Sequence, residues 1–269
     1  YGEVFMMKLK KISIIIPTRN EKDNVGKLSE MIYDVLKGIP YNIVFVDDST
    51  DDTWECIEEL RQEHPEYNIG GEHRNNGDGL AGAVIRGFSI ADGDYYAVMD
   101  ADLQHPPVLL KQMYCAMRRG ADICIPSRFI PGGSDGGLNI WRKSVSATAR
   151  YIGKIMLPCL RHISDPTGGV YMFRSEILDG VTLKPLGRKI MIEMLARCRY
   201  NKITEIPYAF GARNAGESKL DAAVTFEYIK QVFSLVRDNS GCRPKITRWT
   251  SDRLDKENGS LDVVIDELN

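Results

Sequence analysis

The stretch Tyr95-Tyr96-Ala97-Val98-Met99-Asp100-Ala101-Asp102-Leu103-Gln104-His105-Pro106-Pro107 runs from a hydrophobic segment into two carboxylates one residue apart, then into a proline pair. The hydrophobic part predicts a buried strand, Asp94–Met99, and the prolines predict the start of a helix over Pro107–Arg118. "IVFVDDS" repeats the pattern, a strand over Asn42–Asp47 that ends in Asp47 and Asp48, followed by a helix over Thr53–Glu63. Ligands of open α/β sheets bind at the carboxyl ends of the strands, so both acid pairs are expected to face one crevice.

Outward from these two units the same alternation continues. Strands are expected at Ile12–Pro17 and Asp122–Pro126, with a weaker one near Tyr67–His73, and helices at Val25–Leu36 and Leu80–Ala91. β-branched runs alternating with amphipathic segments are the mark of strand-helix-strand units around a buried parallel sheet. After Arg128 a glycine-rich loop leads into Asn139–Ile163, with five bases and no acid. A polar turn (Ser164–Gly169), a strand (Val170–Phe173), a helix near Lys189–Cys198, a strand (Ile203–Phe210), the loop "GARNAGESKL" and a helix (Ala222–Arg237) complete the pattern. Residues 1–10 read as an extension. Residues 11–237 read as one catalytic domain, with a nucleotide-binding half (11–128) and an acceptor half (129–237). Residues 238–269, polar and mixed in charge, read as a tail that need not order.

Composition excludes several classes. With 269 residues, 43% of them hydrophobic, the chain can bury a full core. Its net charge of −2 hides an acidic C-terminus: six acids and two bases lie within Asp252–Asn269, leaving 33 bases against 31 acids elsewhere. That balance gives no case for nucleic acid as a partner. The six cysteines show no metal-ligand spacing and read as reduced core thiols of a cytoplasmic protein. No apolar run approaches the roughly 20 residues that span a bilayer.

Residues two apart on a strand or turn point the same way, so Asp100 and Asp102 can share a divalent cation, with the Gln104 amide assisting. Magnesium or manganese suits such sparse oxygen ligation, completed by substrate phosphates and water. Gly77-Asp78-Gly79-Leu80-Ala81-Gly82 also fits the G-x-G-x-x-G pattern of nicotinamide or flavin binding, although a poor strand precedes it. Arg213 and Lys219 flank Gly216 in a loop that could close on a diphosphate. Arg142 and Ser146 lie one turn apart on a predicted helix and, with Arg128, suit a second phosphate. Two anion sites around one metal imply transfer between two phosphorylated partners.

The segments Pro17-Thr18-Arg19-Asn20-Glu21, Val46-Asp47-Asp48-Ser49, Asp100–Pro107, Ser127-Arg128, Asp165-Pro166-Thr167-Gly168-Gly169 and Arg213–Leu220 occur in an order that resembles the inverting family-2 glycosyltransferases. Within these it is similar to the branch of dolichyl- and polyprenyl-phosphate mannose synthases. The resemblance covers about Ile12 to Arg237. It implies a GT-A type fold, a Rossmann-like mixed sheet flanked by helices, with amphipathic helices at a membrane interface. It further implies that Pro17, Glu21, Asp48 and Ala101 contact a nucleotide-sugar, and that Asp100, Asp102 and Gln104 hold Mg2+ or Mn2+ on its diphosphate. Asp102, Arg213 and Lys219 would be catalytic, the last two clamping the donor phosphates, and Arg128, Arg142 and Ser146 would receive a lipid phosphate. Where relatives often show Gly-Leu-Gly, this chain has Gly79-Leu80-Ala81.

The function so implied is transfer of a hexose, mannose from GDP-mannose, to dolichyl or another polyprenyl phosphate. A phosphate acceptor needs no strong base, so a structural role is expected for Glu193. Two other readings stay open. One is the same fold using UDP-glucose or a hydroxyl acceptor, with Glu193 or Asp165 as base; the other is a nucleotide-sugar-binding subunit without catalysis. Trp141, Ile152, Ile155, Met156 and Leu157 among the bases of Asn139–Ile163 read as an interfacial helix, with Thr225–Arg237 as a second apolar face. A peripheral location on the cytoplasmic face of a membrane is expected, through reversible binding or a separate membrane-anchoring protein.

Overall fold

The computed structural model describes residues 9–75, 77–136, 151–187, 189–211, 222–238 and 241–268, and for 222–227 the backbone only. The expected residues Arg142, Ser146, Arg213 and Lys219 lie outside these, as does the first part, 139–150, of the expected helix Asn139–Ile163.

The first half is built as the alternation requires: β1 (Ile12–Thr18), α1 (Lys22–Val35), β2 (Tyr41–Asp47), α2 (Thr53–Glu63), β3 (Ile69–His73), α3 (Gly79–Ile90), β4 (Tyr95–Val98), α4 (Val108–Arg118) and β5 (Ile123–Ser127). After a helical segment at 151–156 come β6 (Tyr171–Arg174), α5 (Ile190–Arg197), β7 (Lys202–Pro207), α6 (Ala222–Arg237), β8 (Lys245–Arg248) and α7 (Ser251–Leu268). The described strands form one eight-stranded sheet in the order β3-β2-β1-β4-β6-β5-β7-β8. Only β6 runs antiparallel to its neighbours, wedged between β4 and β5. The sheet is therefore mixed.

The two-residue period of a strand sorts the core into two layers. Ile12, Ile14 and Ile16 of β1 pack with α1, α4 and α7, while Ile15 faces the other way and packs with α3, α5 and α6. At roughly 1.5–3 kcal/mol for each fully buried large aliphatic side chain, these two layers dominate stability. β1, β2 and β4 are parallel and in register, so their carboxyl ends, Thr18, Asp47 and Val98, open on one edge of the sheet.

The C-terminal stretch corrects the expectation of a tail. Lys245–Arg248 adds an edge strand beside β7, and Ser251–Leu268 is a helix laid on α4. Its composition is polar because one narrow stripe alone, Leu254, Leu261 and Ile265, is buried. Lys111–Asp262 and Arg119–Glu257 ion pairs flank that stripe. Sparse apolar spacing of seven and four residues inside a charged segment is easily read as solvated chain.

Candidate active site

The open edge of the sheet carries a cavity of about 580 Å3 lined by Pro17, Thr18, Arg19, Glu21, Asp48, Asp78, Gly79, Leu80, Ala83, Asp100, Ala101, Asp102, Pro185 and Gly187. Six residues expected to contact a nucleotide-sugar, Pro17, Glu21, Asp48, Asp100, Ala101 and Asp102, thus meet around one space. Pro185 and Gly187 close it from the segment between β6 and α5.

Local hydrogen bonds fix the two loops that bring Glu21 and Asp48 there. Asn20 adopts a left-handed conformation (φ 60°), which a non-glycine residue holds only with local support. The support is mutual: the Ser49 hydroxyl accepts from the Asn20 amide at 2.8 Å, and Asn20 Oδ1 accepts from the Thr50 amide at 2.9 Å. Thr53 Oγ1 accepts from the Glu21 amide at 3.0 Å, so the loops after β1 and β2 are stitched together.

The two acids of the β2 pair separate. Asp47 does not face the crevice; it is buried and accepts from Thr18, Ser49 and His73. Asp48 lines the cavity and takes a two-point ion pair from Arg74, whose Nε and Nη2 lie 2.8 and 2.6 Å from its oxygens. Arg74 also reaches Asp78 at 2.9 Å. Burial alone would lower the Arg74 pKa, and its bonds to the two aspartates raise it instead.

The glycine pattern of the third unit serves these acids. A Cβ at Gly77 would fall 2.4 Å from the Asp48 carboxylate, and one at Gly82 would overlap the Asp78 carboxylate. The glycines thus make room for side chains of the protein itself, an arrangement unlike a pyrophosphate cradle. Ala81, the departure from Gly-Leu-Gly, is buried in the same core layer as Ile15 and stays off the cavity. Sequence reasoning passed over Arg74; its only signal is its place one residue beyond the end of β3.

Asp100 and Asp102 stand on the turn after β4 and both line the cavity. Leu103 takes φ 58° and the Asp102 carboxylate accepts from the Gln104 amide at 3.1 Å, which locks the turn. The inner oxygen of Asp100 is 3.6 Å from His105 Nε2 and occupies the space that a side chain at Gly169 would fill. His105 is buried edge-on to Phe210. Among the described residues no cluster of three or more histidine, cysteine, aspartate or glutamate side chains could hold an ion alone. Two carboxylates on a rigid turn, with one held from behind, fit a hard divalent cation that takes its other ligands from phosphates and water, whereas Gln104, expected to assist, is not among the residues lining the cavity.

Arg128 lies beyond the same wall. Its guanidinium stacks on Phe129 and Phe210 and pairs with the fully buried Asp165 through Nε (2.8 Å) and Nη2 (3.1 Å). Burial opposes its charge, and the Asp165 bonds raise its pKa nonetheless. Contact is continuous from Asp100 through His105 and Phe210 to Arg128. Glu193 is buried on α5, where it accepts from the Lys184 amide and from Arg197, a structural use.

Residues 13–182 match the family model described as glycosyl transferase family 2. The chain belongs to that family. It is 43% identical over 228 residues to a dolichol-phosphate mannosyltransferase of Pyrococcus furiosus, covering 84% of this chain and 64% of that protein. The chain thus spans just under two thirds of that relative. A dolichol-phosphate mannosyltransferase of Saccharomyces cerevisiae is 32% identical over 236 residues, with 83% of this chain and 86% of that one covered. Among solved structures, glucosyl-3-phosphoglycerate synthase from Mycobacterium tuberculosis, in complex with Mn2+, UDP and glucosyl-3-phosphoglycerate, superposes with a TM-score of 0.64 at 18% identity, over 86% of this chain and 82% of that one. Mannosyl-3-phosphoglycerate synthase from Rubrobacter xylanophilus gives 0.62 at 18%, over 85% and 74%. The mixed α/β fold of the family-2 protein is thus of the GT-A type.

Proposed function

We propose that this family-2 protein transfers a hexose, mannose from GDP-mannose, to the phosphate of dolichol or another polyprenol. The observation that carries the reading is the unbroken wall from the donor cavity, through Asp100, His105 and Phe210, to the arginine Arg128. An arginine stacked on two aromatic rings and held in plane by Asp165 keeps guanidinium hydrogens for a phosphate. The relatives' names point to the same sugar and acceptor, mannose and dolichol phosphate.

The residues fit an inverting displacement. A phosphate monoester has a second pKa near ~6, so the acceptor oxygen is largely ionised at neutral pH and needs no base. Asp165 and Glu193, the carboxylates a hydroxyl acceptor would use as base, are both committed to arginines. That favours phosphate over hydroxyl. Asp48 and Glu21 would hold the nucleoside end of the donor, while Arg128, Arg142 and Ser146 hold the acceptor in line with the anomeric carbon. Arg213 and Lys219 would close over the departing diphosphate. Asp100, Asp102 and Gln104 would hold Mg2+ or Mn2+, which neutralises charge on that leaving group.

The surface beside the acceptor half suits a lipid interface. Tyr151 and Ile155 (73% exposed) on the 151–156 helix project outward, as do Phe233 (62%) and Val236 on α6. The two helices touch where Gly153 meets Tyr228. Exposed Lys230 and Arg237 flank Phe233, which matches an amphipathic surface on anionic lipid. No helix among the described residues is long and apolar enough to cross a membrane. Free thiols at all six cysteines accord with the cytoplasmic face.

Asp102→Asn tests the catalytic reading against that of a binding subunit. Turnover should fall by more than a hundredfold while GDP still binds in the presence of Mn2+, though more weakly. A wild-type protein that binds GDP-mannose and never turns over would support the binding subunit instead.

A further inference from the structure

We propose that Arg248, on the C-terminal edge strand, is a positioning residue for Arg128, acting through Glu205 and Ser164. This rests on Arg128 being a ligand of the acceptor phosphate.

Arg248 lies opposite Glu205 in the parallel pairing of β8 with β7. The Glu205 carboxylate is fully buried, an unfavourable place for a charge unless both oxygens are bonded. One oxygen accepts from Arg248 Nε at 2.9 Å; the other accepts from the amide of Ser164, at 2.6 Å, and from its hydroxyl. The free arm of Arg248 donates to the carbonyl of His162 at 2.7 Å. The turn 162–164 is therefore held twice, directly by Arg248 Nη2 and, through Glu205, by its Nε.

That turn holds Arg128 on both sides. The Ser164 hydroxyl meets the hydroxyl of Ser127, which in turn accepts from the Phe129 amide at 3.1 Å, so the backbone before and after Arg128 is tied to Ser164. Asp165, the next residue along the turn, holds the guanidinium itself. A strut that merely stabilised β8 would not converge on an arginine assigned to the acceptor. The C-terminal strand is by this reading part of the acceptor site, although it lies outside the acceptor half and far from Arg128 in sequence.

The experiment compares wild type, Arg248→Gln, Arg248→Lys and Ser164→Ala. It reads KM for a short polyprenyl phosphate, Kd for GDP with Mn2+, and hydrogen exchange at the Ser164 and Phe129 amides. Arg248→Gln should speed exchange at both amides and raise the acceptor KM about tenfold, the scale on which loss of a partner one step behind a ligand is felt at metal sites. GDP affinity should stay within twofold, and Arg248→Lys should restore part of the acceptor KM. Faster exchange with an unchanged acceptor KM, or an equal loss for GDP, would reduce Arg248 to a structural strut and overturn the proposal. Should Arg248→Gln fail to fold, Ser164→Ala cuts the same path at its middle, and an unchanged acceptor KM there overturns it equally. Wild type that transfers to no lipid phosphate would refute the role of Arg128 and the proposal with it. Amide protection at Ser164 that is sensitive to Arg248 would then persist, which separates that failure from the absence of a clamp.

Discussion

Asp165 and Arg128 form a buried two-point pair, and removing one partner strands the other. Asp165→Ala should destabilise the fold by about 3–5 kcal/mol, measured by urea denaturation, and should abolish transfer even under conditions where the protein stays folded. Gly77 gives the opposite profile. A methyl group there would press on the Asp48 carboxylate at 2.4 Å, so Gly77→Ala should weaken GDP binding by calorimetry while the melting temperature shifts little. Asp100, Asp102 and Asp48 were legible as cavity-lining residues because they follow hydrophobic runs at the carboxyl ends of strands, where open α/β sheets bind ligands. Arg74 was not, since a single arginine after a weak edge strand carries no pattern. The inward turn of Asp47 was equally hidden, because adjacent acids look alike until Thr18, Ser49 and His73 surround one of them.

Helices and strands were read well wherever burial imposed a period. β1, β2, β4 and β5, and the helices between them, lie where the alternation puts them, within three residues at their ends. The antiparallel run of β6 could not be read, since strand direction depends on which neighbours it joins. The C-terminal helix was missed because only Leu254, Leu261 and Ile265 anchor it. Leu261→Ala should therefore cost about 2–5 kcal/mol, as truncation of a buried leucine does, and loosen α7 in hydrogen exchange before α4. A melting curve identical to wild type would mean that α7 adds nothing to the fold.

For the whole molecule, charge pairs and the exposed apolar face set two further expectations. The Glu72 and Asp92 carboxyls are held below their ordinary pKa, chiefly by hydrogen bonds from Arg86 and Lys11. Such groups bind fewer protons folded than unfolded, so their contribution is complete above the ordinary carboxylate range and is lost as pH falls through it. The urea midpoint should drop between pH 6 and pH 3, and Glu72→Gln should flatten that drop. Phe233→Glu should release the protein from vesicles rich in anionic lipid and leave GDP affinity unchanged; undiminished sedimentation with the vesicles would place the membrane contact elsewhere.

The proposal that the cavity takes the donor and Arg128 the acceptor phosphate is tested most directly by the reaction itself. Radiolabelled GDP-mannose, and in parallel UDP-glucose, are offered with a short polyprenyl phosphate in detergent, with Mg2+ or Mn2+ and then with EDTA. A lipid product labile to mild acid, formed from GDP-mannose and abolished by EDTA, is the expected result. Product from UDP-glucose alone would keep the mechanism and change the sugar, whereas no lipid product from either donor would contradict the account.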